Sequence, residues 1–263
     1  MRRKTVLLCV FVFVSVALPF LPLLLWSITE KWFYPALFPQ VFGTRAWSYV
    51  FTTAGSQILD GLFTSFSLAL VTTMVSLTLG IPAGRALGLY DFPGKRISML
   101  FLTLPIIVPP LSVSMGLHLW FIQLGLAETF VGVVLIHLTF CLPYTVFVIR
   151  GVFTDYNPDF EEQARSLGAS PARIIVMVIF PMILPGVIIA ALFSFLISWS
   201  QYLSTLIIGG GKMLTLPILL FSLMGSGDRP VAGAVSLIFI LPAFLALMSS
   251  AHYLGRTGLK GIR

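Results

Sequence analysis

The chain has 263 residues, of which 58% are apolar and only 10% charged, and its mean hydropathy is +1.02. Soluble domains carry about 25% charged residues, so this composition excludes a soluble globular protein and predicts a membrane protein with several spans. The net charge of +7 comes from basic residues that cluster in one set of loops. The sequence therefore does not indicate a basic surface of the kind that binds nucleic acid, and we predict no nucleic-acid partner.

The residue pattern gives no indication of catalysis or of a bound metal. The two cysteines, Cys9 and Cys141, lie in apolar runs and indicate neither a disulfide framework nor a metal site. The three histidines lack the spacing of metal ligands, and no P-loop or nucleophile motif is present. We therefore predict no cofactor, no metal and no catalytic residue, and we do not expect this chain to hydrolyse ATP itself.

Several segments are uncharged over the roughly 20 residues that a membrane-spanning helix needs. The uncharged run 174–211 is too long for one span, and we expect Pro181, Pro185 and the glycines 209–211 to divide it. The sequence thus predicts an all-α membrane protein in which residues 1–263 form one domain with six helices. The predicted spans are about 5–28, 61–84, 97–122, 129–149, 183–204 and 230–251.

The basic residues predict the orientation of these spans. Twelve of the 16 Lys and Arg residues fall at the two termini or in the loops on the same side of the membrane. The positive-inside rule therefore places both termini and the loop 155–181 in the cytoplasm. Residues 1–28 also have the basic start of a signal peptide. Their apolar run exceeds the usual ~7–15 residues and no small-residue cleavage site follows, so we predict a retained first span.

Three further features of the spans and outer loops have a predicted role. The apolar stretch Leu214–Met224 is too short to cross the membrane, which favours an interfacial or re-entrant segment. The third span contains three prolines, which indicate either a packing kink or a break that lines a cavity. His118 and His137 lie in apolar spans, where an ionisable group is a functional candidate, although a neutral, hydrogen-bonded histidine is the simpler interpretation.

The loop 155–181 is the most charged insertion in the chain, and its pattern predicts two short helices joined at a glycine. Asn157 can cap the first helix, with Pro158 at its first position. Gly168 is placed to end that helix in a left-handed conformation, and Ser170-Pro171 begins the second. Between these signals, an apolar stripe at i, i+4 and i+7 consists of Phe160, Ala164 and Leu167.

The same loop resembles the motif of permease subunits in ATP-binding-cassette (ABC) importers, which reads E-A-A, three residues, G, nine residues, I-x-L-P. Here Glu162-Gln163-Ala164, Gly168 and Val178-Ile179-Phe180-Pro181 occupy those positions at the same spacing. Gln163, Val178 and Phe180 depart mildly from the motif. The length of the chain, its span order and the position of the loop are also similar to this family. An ordinary amphipathic loop between two spans is the alternative interpretation.

The resemblance implies an all-α, type I ABC importer permease (MetI-like) architecture in the bacterial inner membrane. It also implies two cytoplasmic ATP-binding subunits, a second permease subunit that is identical or related, and a periplasmic or lipid-anchored solute-binding protein. Membrane lipid surrounds such a subunit. The ATPase-coupling residues carried over from the motif and its helix are Phe160, Glu162, Ala164, Leu167 and Gly168.

The fifth predicted span ends in its most polar stretch. Ser194, Ser198 and Gln201 fall at i, i+4 and i+7, so they are expected to share one helix face, with Trp199 and Tyr202 beside them. In permeases that resemble this one, the span after the motif loop lines the substrate path, and we predict that these five residues do so here. Hydrogen-bonded helix packing with an aromatic belt is the alternative.

The substrate is predicted only by class. The chain most resembles six-span permeases for spermidine and putrescine, so a polyamine or a similar small solute is expected. The alternatives are thiamine, ferric iron, phosphonate or sulfate carried by the same machinery. Inverted repeats or intramembrane carboxylates would indicate a secondary transporter that needs no ATPase, and neither is seen in the sequence. A membrane enzyme would need a catalytic cluster, which the sequence also lacks.

Overall fold

The structure, a computed structural model, describes residues 2–33 and 35–258. Helices dominate, and the first half of the chain contains α1 (Arg2–Ala17), α2 (Phe20–Ser27), β1 (Thr29–Lys31), β2 (Val41–Phe42), α3 (Arg45–Phe51), α4 (Gly55–Leu89), α5 (Lys95–Ile107) and α6 (Pro110–Gln123). The second half contains α7 (Phe130–Thr154), α8 (Asp159–Ser166), α9 (Pro171–Ile174), a π-helical stretch (Ile175–Ile179), α10 (Phe180–Trp199), α11 (Leu203–Gly209), α12 (Leu216–Gly225) and α13 (Arg229–Gly258).

Within the described residues, four helices are long and apolar enough to cross a membrane, and two bent helix pairs raise the number to six if each pair is one span. The four are Gly55–Leu89, Phe130–Thr154, Pro171–Trp199 and Arg229–Gly255. The bent pairs cover two of the predicted spans, 5–28 and 97–122, so helices lie over all six predicted segments.

Of the two alternatives that the prolines of the third predicted span, 97–122, left open, the structure has a break rather than a kink. Helices α5 and α6 meet at a bend of 106°. Val108 and Pro109 both adopt extended backbone conformations, with ψ of 133° at each. Because a residue before proline disfavours the helical region, the pair Pro109-Pro110 forces a break rather than a kink.

The run 174–211 is not divided at Pro181 and Pro185, and this part of the prediction was wrong. The chain is helical from Pro171 to Trp199, although Pro181 lies near the start of α10 and Pro185 lies inside it. The amide of Phe180 donates to the carbonyl of Ile175, five residues earlier, which is a π-helical bond. This wider turn accommodates the proline that follows. The helix ends at Trp199 rather than near residue 204.

One compact unit consists of the first 63 residues together with Leu214–Pro242. In it, β1 and β2 pair antiparallel, and Arg45 donates two hydrogen bonds of 3.1 and 2.7 Å to the carboxylate of Asp228. The indoles of Trp26 and Trp32 stack with ring centroids 4.5 Å apart. Helix α12, with 10 residues, is too short to span a bilayer, in agreement with the prediction for Leu214–Met224.

The other unit consists of Thr64–Met213 and the residues after Pro242, and α7 lies at its centre. Thr129 caps α7, because its hydroxyl accepts a 3.0 Å hydrogen bond from the amide of Gly132. Close packing of α4 on α7 depends on glycine: a Cβ at Gly84 would lie 2.7 Å from the side chain of Ile149. Ile149 also belongs to a core cluster near α8 and α9. The other buried members of this cluster are Phe153, Tyr156, Ile174, Ile179, Ile183, Val187 and Ala190.

Candidate functional site

The loop after α7 folds into the helical elbow that its sequence predicts, and we call residues 157–171 the elbow. The carbonyl oxygen of the Asn157 side chain accepts a 2.9 Å hydrogen bond from the amide of Asp159. Asn157 therefore caps α8, although the helix itself begins at Asp159, one residue later than expected. Asp159, Glu161 and Glu162 fill the first turn, where the helix dipole favours negative charge.

Gly168 ends the first helix of the elbow in the left-handed conformation that the sequence predicted, with φ of +82°. Its amide donates to the carbonyl of Arg165 at 2.9 Å, and the amide of Ala169 donates to the carbonyl of Ala164 at 3.1 Å. This pair of bonds is a Schellman motif, which satisfies carbonyls that the end of the helix would otherwise leave without donors.

The second helix of the elbow begins at Ser170-Pro171, as predicted. Ser170 has extended backbone angles, and Pro171 occupies the first helical position. Because α9, the π-helical stretch and α10 follow without a break, the elbow is continuous with a candidate membrane-spanning helix, Pro171–Trp199.

An ion pair attaches α8 to the unit that carries it. Glu161 is only 7% exposed, and the Nη2 atom of Arg85 in α4 lies 3.0 Å from its Oε1 and 2.7 Å from its Oε2. The guanidinium of Arg85 also lies 5.8 Å from the ring centroid of Phe153. The sequence analysis did not find this pair, because residues 76 positions apart leave no spacing signal.

Tyr156, directly before the elbow, belongs to the core cluster on which the buried side of the elbow packs. Its ring meets that of Phe153 edge-on, with centroids 5.4 Å apart. Burial, and after it the nearby carboxylate of Glu161, raise the pKa of Tyr156 to about 12. Its hydroxyl oxygen is buried and has no hydrogen-bond partner of good geometry among the described residues. Tyr156 is therefore a neutral phenol at every physiological pH.

The outer side of α8 carries most of the predicted coupling residues. Phe160 is 46% exposed, Leu167 is 89% exposed, and Glu162 is exposed as well. Ala164 differs from this prediction, because it is half-buried and packs against the core cluster of Ile174 and its neighbours. The predicted stripe is therefore split: its small member contacts the protein, and its two large members face outward.

The polar end of the fifth predicted span lies largely in the interior. Ser194, Ser198 and Trp199 are 0%, 4% and 2% exposed. The hydroxyl of Ser194 lies 2.7 Å from that of Thr145, and the hydroxyl of Ser198 lies 2.8 Å from Nδ1 of His137. For these three residues the structure favours the alternative that the sequence left open, which is hydrogen-bonded packing between helices.

Gln201 and Tyr202 lie beyond the end of α10, so the predicted face of Ser194, Ser198 and Gln201 does not continue to Gln201. Helix α10 ends at Trp199, and α11 begins at Leu203. Gln201 and Tyr202 in the connection are both half-buried. Among the predicted path residues, these two retain a partly open surface.

The two histidines in apolar helices differ. His137 is 1% exposed, and both ring nitrogens have partners: Nδ1 lies beside Ser198, and Nε2 lies 2.8 Å from the hydroxyl of Thr205. It thus joins α7, α10 and α11, as a hydrogen-bonded core histidine would. His118 in α6 is half-buried. Among the described residues, no group of His, Cys, Asp or Glu has an arrangement that could hold a metal ion.

Apolar helices of spanning length and a capped helical elbow that leads into one of them are typical of a membrane protein with several spans. The chain belongs to the family of binding-protein-dependent transport system inner membrane components, whose model matches residues 76–257. It is therefore a permease subunit of an ABC importer, an inner-membrane protein with several spans and the all-α, MetI-like architecture of type I importers.

Curated relatives of this chain are permeases for different solutes. It is 28% identical over 210 residues to the trehalose transport permease SugB of Mycobacterium tuberculosis, with 77% of each chain covered. It is 28% identical over 184 residues to the spermidine/putrescine permease PotC of Haemophilus influenzae, with 70% of this chain and 72% of the relative covered. A bacterial importer of the acidic polysaccharide alginate has the same fold, with a TM-score of 0.70, 18% identity, and coverage of 95% and 94%.

Proposed function

We propose that this chain forms half of a solute path and couples it to ATP hydrolysis in a separate subunit. The observation that carries the proposal is the elbow, which is capped at both ends and continuous with the helix Pro171–Trp199. Its exposed residues Phe160, Glu162 and Leu167 offer two apolar contacts and one negative charge to a cytoplasmic ATP-binding subunit. The hydrolytic chemistry belongs to that subunit, because this sequence has no phosphate-binding loop.

The assembly that we propose contains two ATP-binding subunits, a second permease subunit and a solute-binding protein on the outer side. When ATP closes the ATP-binding subunits, the two elbows of the permease pair move together. A helix without a break transmits this movement as a rigid body, so displacement of Pro171 displaces the far end of the helix at Trp199. The solute path then changes from inward to outward access.

We further propose that both termini and the elbow lie in the cytoplasm. The support is the asymmetry of basic residues, including Arg85, Arg165 and Arg173 on the proposed inner side. Lys260 and Arg263, which contribute to the same asymmetry, lie outside the described residues. Reporter fusions at Asp159 and at Lys212 test this orientation: the first is expected to be cytoplasmic and the second external.

For the solute, the proposal is a small polar molecule, with polyamines first and neutral sugars second. The likeness to PotC supports a polyamine, and the likeness to SugB supports a disaccharide. The predicted spans contain no carboxylate that would bind a cation. A polyamine would therefore rely on aromatic faces such as that of Tyr202, whereas a sugar would use the amide of Gln201 as well.

Reconstitution tests the function. The permease pair, its ATP-binding subunit and its binding protein are placed in vesicles, and uptake of radiolabelled spermidine and of radiolabelled trehalose is measured with ATP or a non-hydrolysable analogue. We expect uptake of one solute with ATP only. Glu162→Lys is expected to abolish uptake and capture of the ATP-binding subunit. Asp91→Lys, which reverses a fully exposed carboxylate at 99% exposure, is the matched control. Uptake without ATP would indicate a secondary transporter.

A further inference from the structure

We propose that Arg85 and Glu161 are positioning residues that fix the orientation of the elbow on α4. Its exposed residues Phe160, Glu162 and Leu167, which we call the docking face, then point toward the ATP-binding subunit. This inference rests on the proposed function, since it assigns a role in the same coupling step. It adds two residues outside the docking face, and it makes α4, a second helix of spanning length, part of the connection between the elbow and the membrane.

The first argument is the geometry of the pair. Both carboxylate oxygens of Glu161 lie within 3.0 Å of one Arg85 nitrogen, and the side chains are 27% and 9% exposed. By comparison, Asp91 in the exposed pair with Lys95 is 99% exposed. Exposed pairs contribute little because water screens them, whereas loss of one partner from a shielded pair leaves the other charge without compensation. Phe153, which packs against the guanidinium, restricts Arg85 further.

The second argument is the relation between adjacent carboxylates. Consecutive residues of an α-helix project about 100° apart, so a helix that directs Glu161 inward directs Glu162 outward. The burial pattern follows this rule, because Glu161 is buried and Glu162 is exposed. A rotation of α8 that turned Glu162 away from its partner would therefore have to break the bond between Arg85 and Glu161.

The third argument is the space beside the pair. A partly open cavity of about 250 Å³ lies between the two helices of the elbow, and Arg85, Glu161, Arg165, Ile174, Ile175 and Ile179 are among the residues that line it. Because the cavity leaves part of this side of α8 without packed neighbours, packing resists a tilt into it only in part. The ion pair adds to the packing of Ala164 in resisting this tilt.

The test measures orientation directly, without a transported solute. Spin labels are attached at Ser166→Cys in α8 and at Phe92→Cys beyond α4, in a full-length chain whose Cys9 and Cys141 are replaced by alanine. The chain is placed in lipid nanodiscs, and the distance distribution between the labels is recorded. Arg85→Gln and Glu161→Gln are each compared with the double exchange Arg85→Glu/Glu161→Arg, and Asp91→Lys is the control for loss of an exposed pair.

We expect a narrow distribution in the parent chain and in the control, a distribution at least about twofold broader in each single variant, and a narrow one again in the double exchange. We also expect the concentration of ATP-binding subunit that half-saturates the permease to rise about tenfold or more in the single variants, because the docking face is no longer held in place. The unfolding temperature of each variant is measured alongside these two quantities.

Single variants that unfold at a lower temperature but keep the narrow distribution and the parental half-saturation would overturn the proposal, because the pair would then only stabilise the fold. A double exchange that stays as broad as the single variants would overturn it as well. If the parent chain itself does not bind the ATP-binding subunit, the proposed function fails, and the distance measurements still report whether the pair orients the elbow.

Discussion

The hydroxyl of Ser198 lies 2.8 Å from Nδ1 of His137. The other ring nitrogen of His137 is bound to Thr205 at the same distance, so one imidazole connects three helices of the same unit. In the apolar interior of a membrane protein, a hydroxyl that loses its partner has no water to replace it. The polar end of α10 is therefore held against α7 and α11 by hydrogen bonds and is not an open surface.

His137→Ala is therefore expected to lower the free energy of unfolding by about 1–3 kcal/mol, because it leaves the hydroxyls of Ser198 and Thr205 without their shared partner. Unfolding in detergent with increasing denaturant measures the change. His118→Ala, at a half-buried position in α6, is the control and is expected to shift stability much less. Equal effects of the two substitutions would contradict the role assigned to His137.

Cysteine labelling separates the residues of the predicted path. In a background without Cys9 and Cys141, cysteines at Ser194 and Ser198 are expected to resist a small polar thiol reagent, because both positions are buried. Cysteines at Gln201 and Tyr202 are expected to react faster, since these residues lie in the connection between α10 and α11 and are half-buried. Rapid labelling at Ser198 would show that water reaches the face that this structure closes.

Gly168→Val is expected to abolish capture of the ATP-binding subunit. A left-handed backbone conformation costs an ordinary residue roughly 1–2 kcal/mol and a β-branched residue more. A Cβ at Gly168 would meet no atom within 4 Å, so backbone strain alone accounts for the effect. Gly168→Asn, which tolerates this conformation, is expected to retain most of the binding. Gly151→Val, in α7 with equally open space around it, is the control.

Arg45 and Asp228 form an ion pair in the unit that consists of the first 63 residues and Leu214–Pro242. This pair predicts that the stability of the folded chain depends on pH. A hydrogen bond from Arg45 is the main cause that holds the pKa of Asp228 below its usual range. A carboxylate with a lowered pKa stabilises the folded state above the pKa that it has in the unfolded chain, and this contribution is lost as the pH falls through the folded value. Asp228→Asn is therefore expected to lower the unfolding temperature at pH 7, with a difference from the parent that shrinks below about pH 4. A difference in unfolding temperature that stays constant down to pH 3 would contradict this role of the ion pair.

The elbow could be predicted from sequence because its determinants are local. The cap at Asn157, the left-handed Gly168 and the Ser-Pro helix start all act within a few residues of their own position. The bond between Arg85 and Glu161 could not be predicted, since it depends on how α4 packs beside the elbow. Helix periodicity likewise assigned Ser194 and Ser198 to one face correctly, but it did not reveal that other helices cover that face.

The bend between α5 and α6 shows a different limit. The prolines were visible in the sequence, and they left a kink and a break as open alternatives. The residues before Pro109 and Pro110 disfavour the helical region, which favours a break, but the size of the bend, 106°, depends on how the neighbouring helices pack. At Pro181 the reverse happened: a proline that was expected to end a helix is tolerated, since a π-helical turn precedes it.

That π-helical turn, Ile175–Ile179, holds one residue more than the α-helical turn it replaces. If its bonds shorten to the α-helical pattern, everything before it rotates by about 100° around the helix axis relative to everything after it. The elbow stands on one side of this turn, and the span that ends at Trp199 stands on the other. The chain thus contains, inside one continuous helix, a turn at which a change of hydrogen-bond pattern would alter the angle of the elbow around the axis of the long apolar segment.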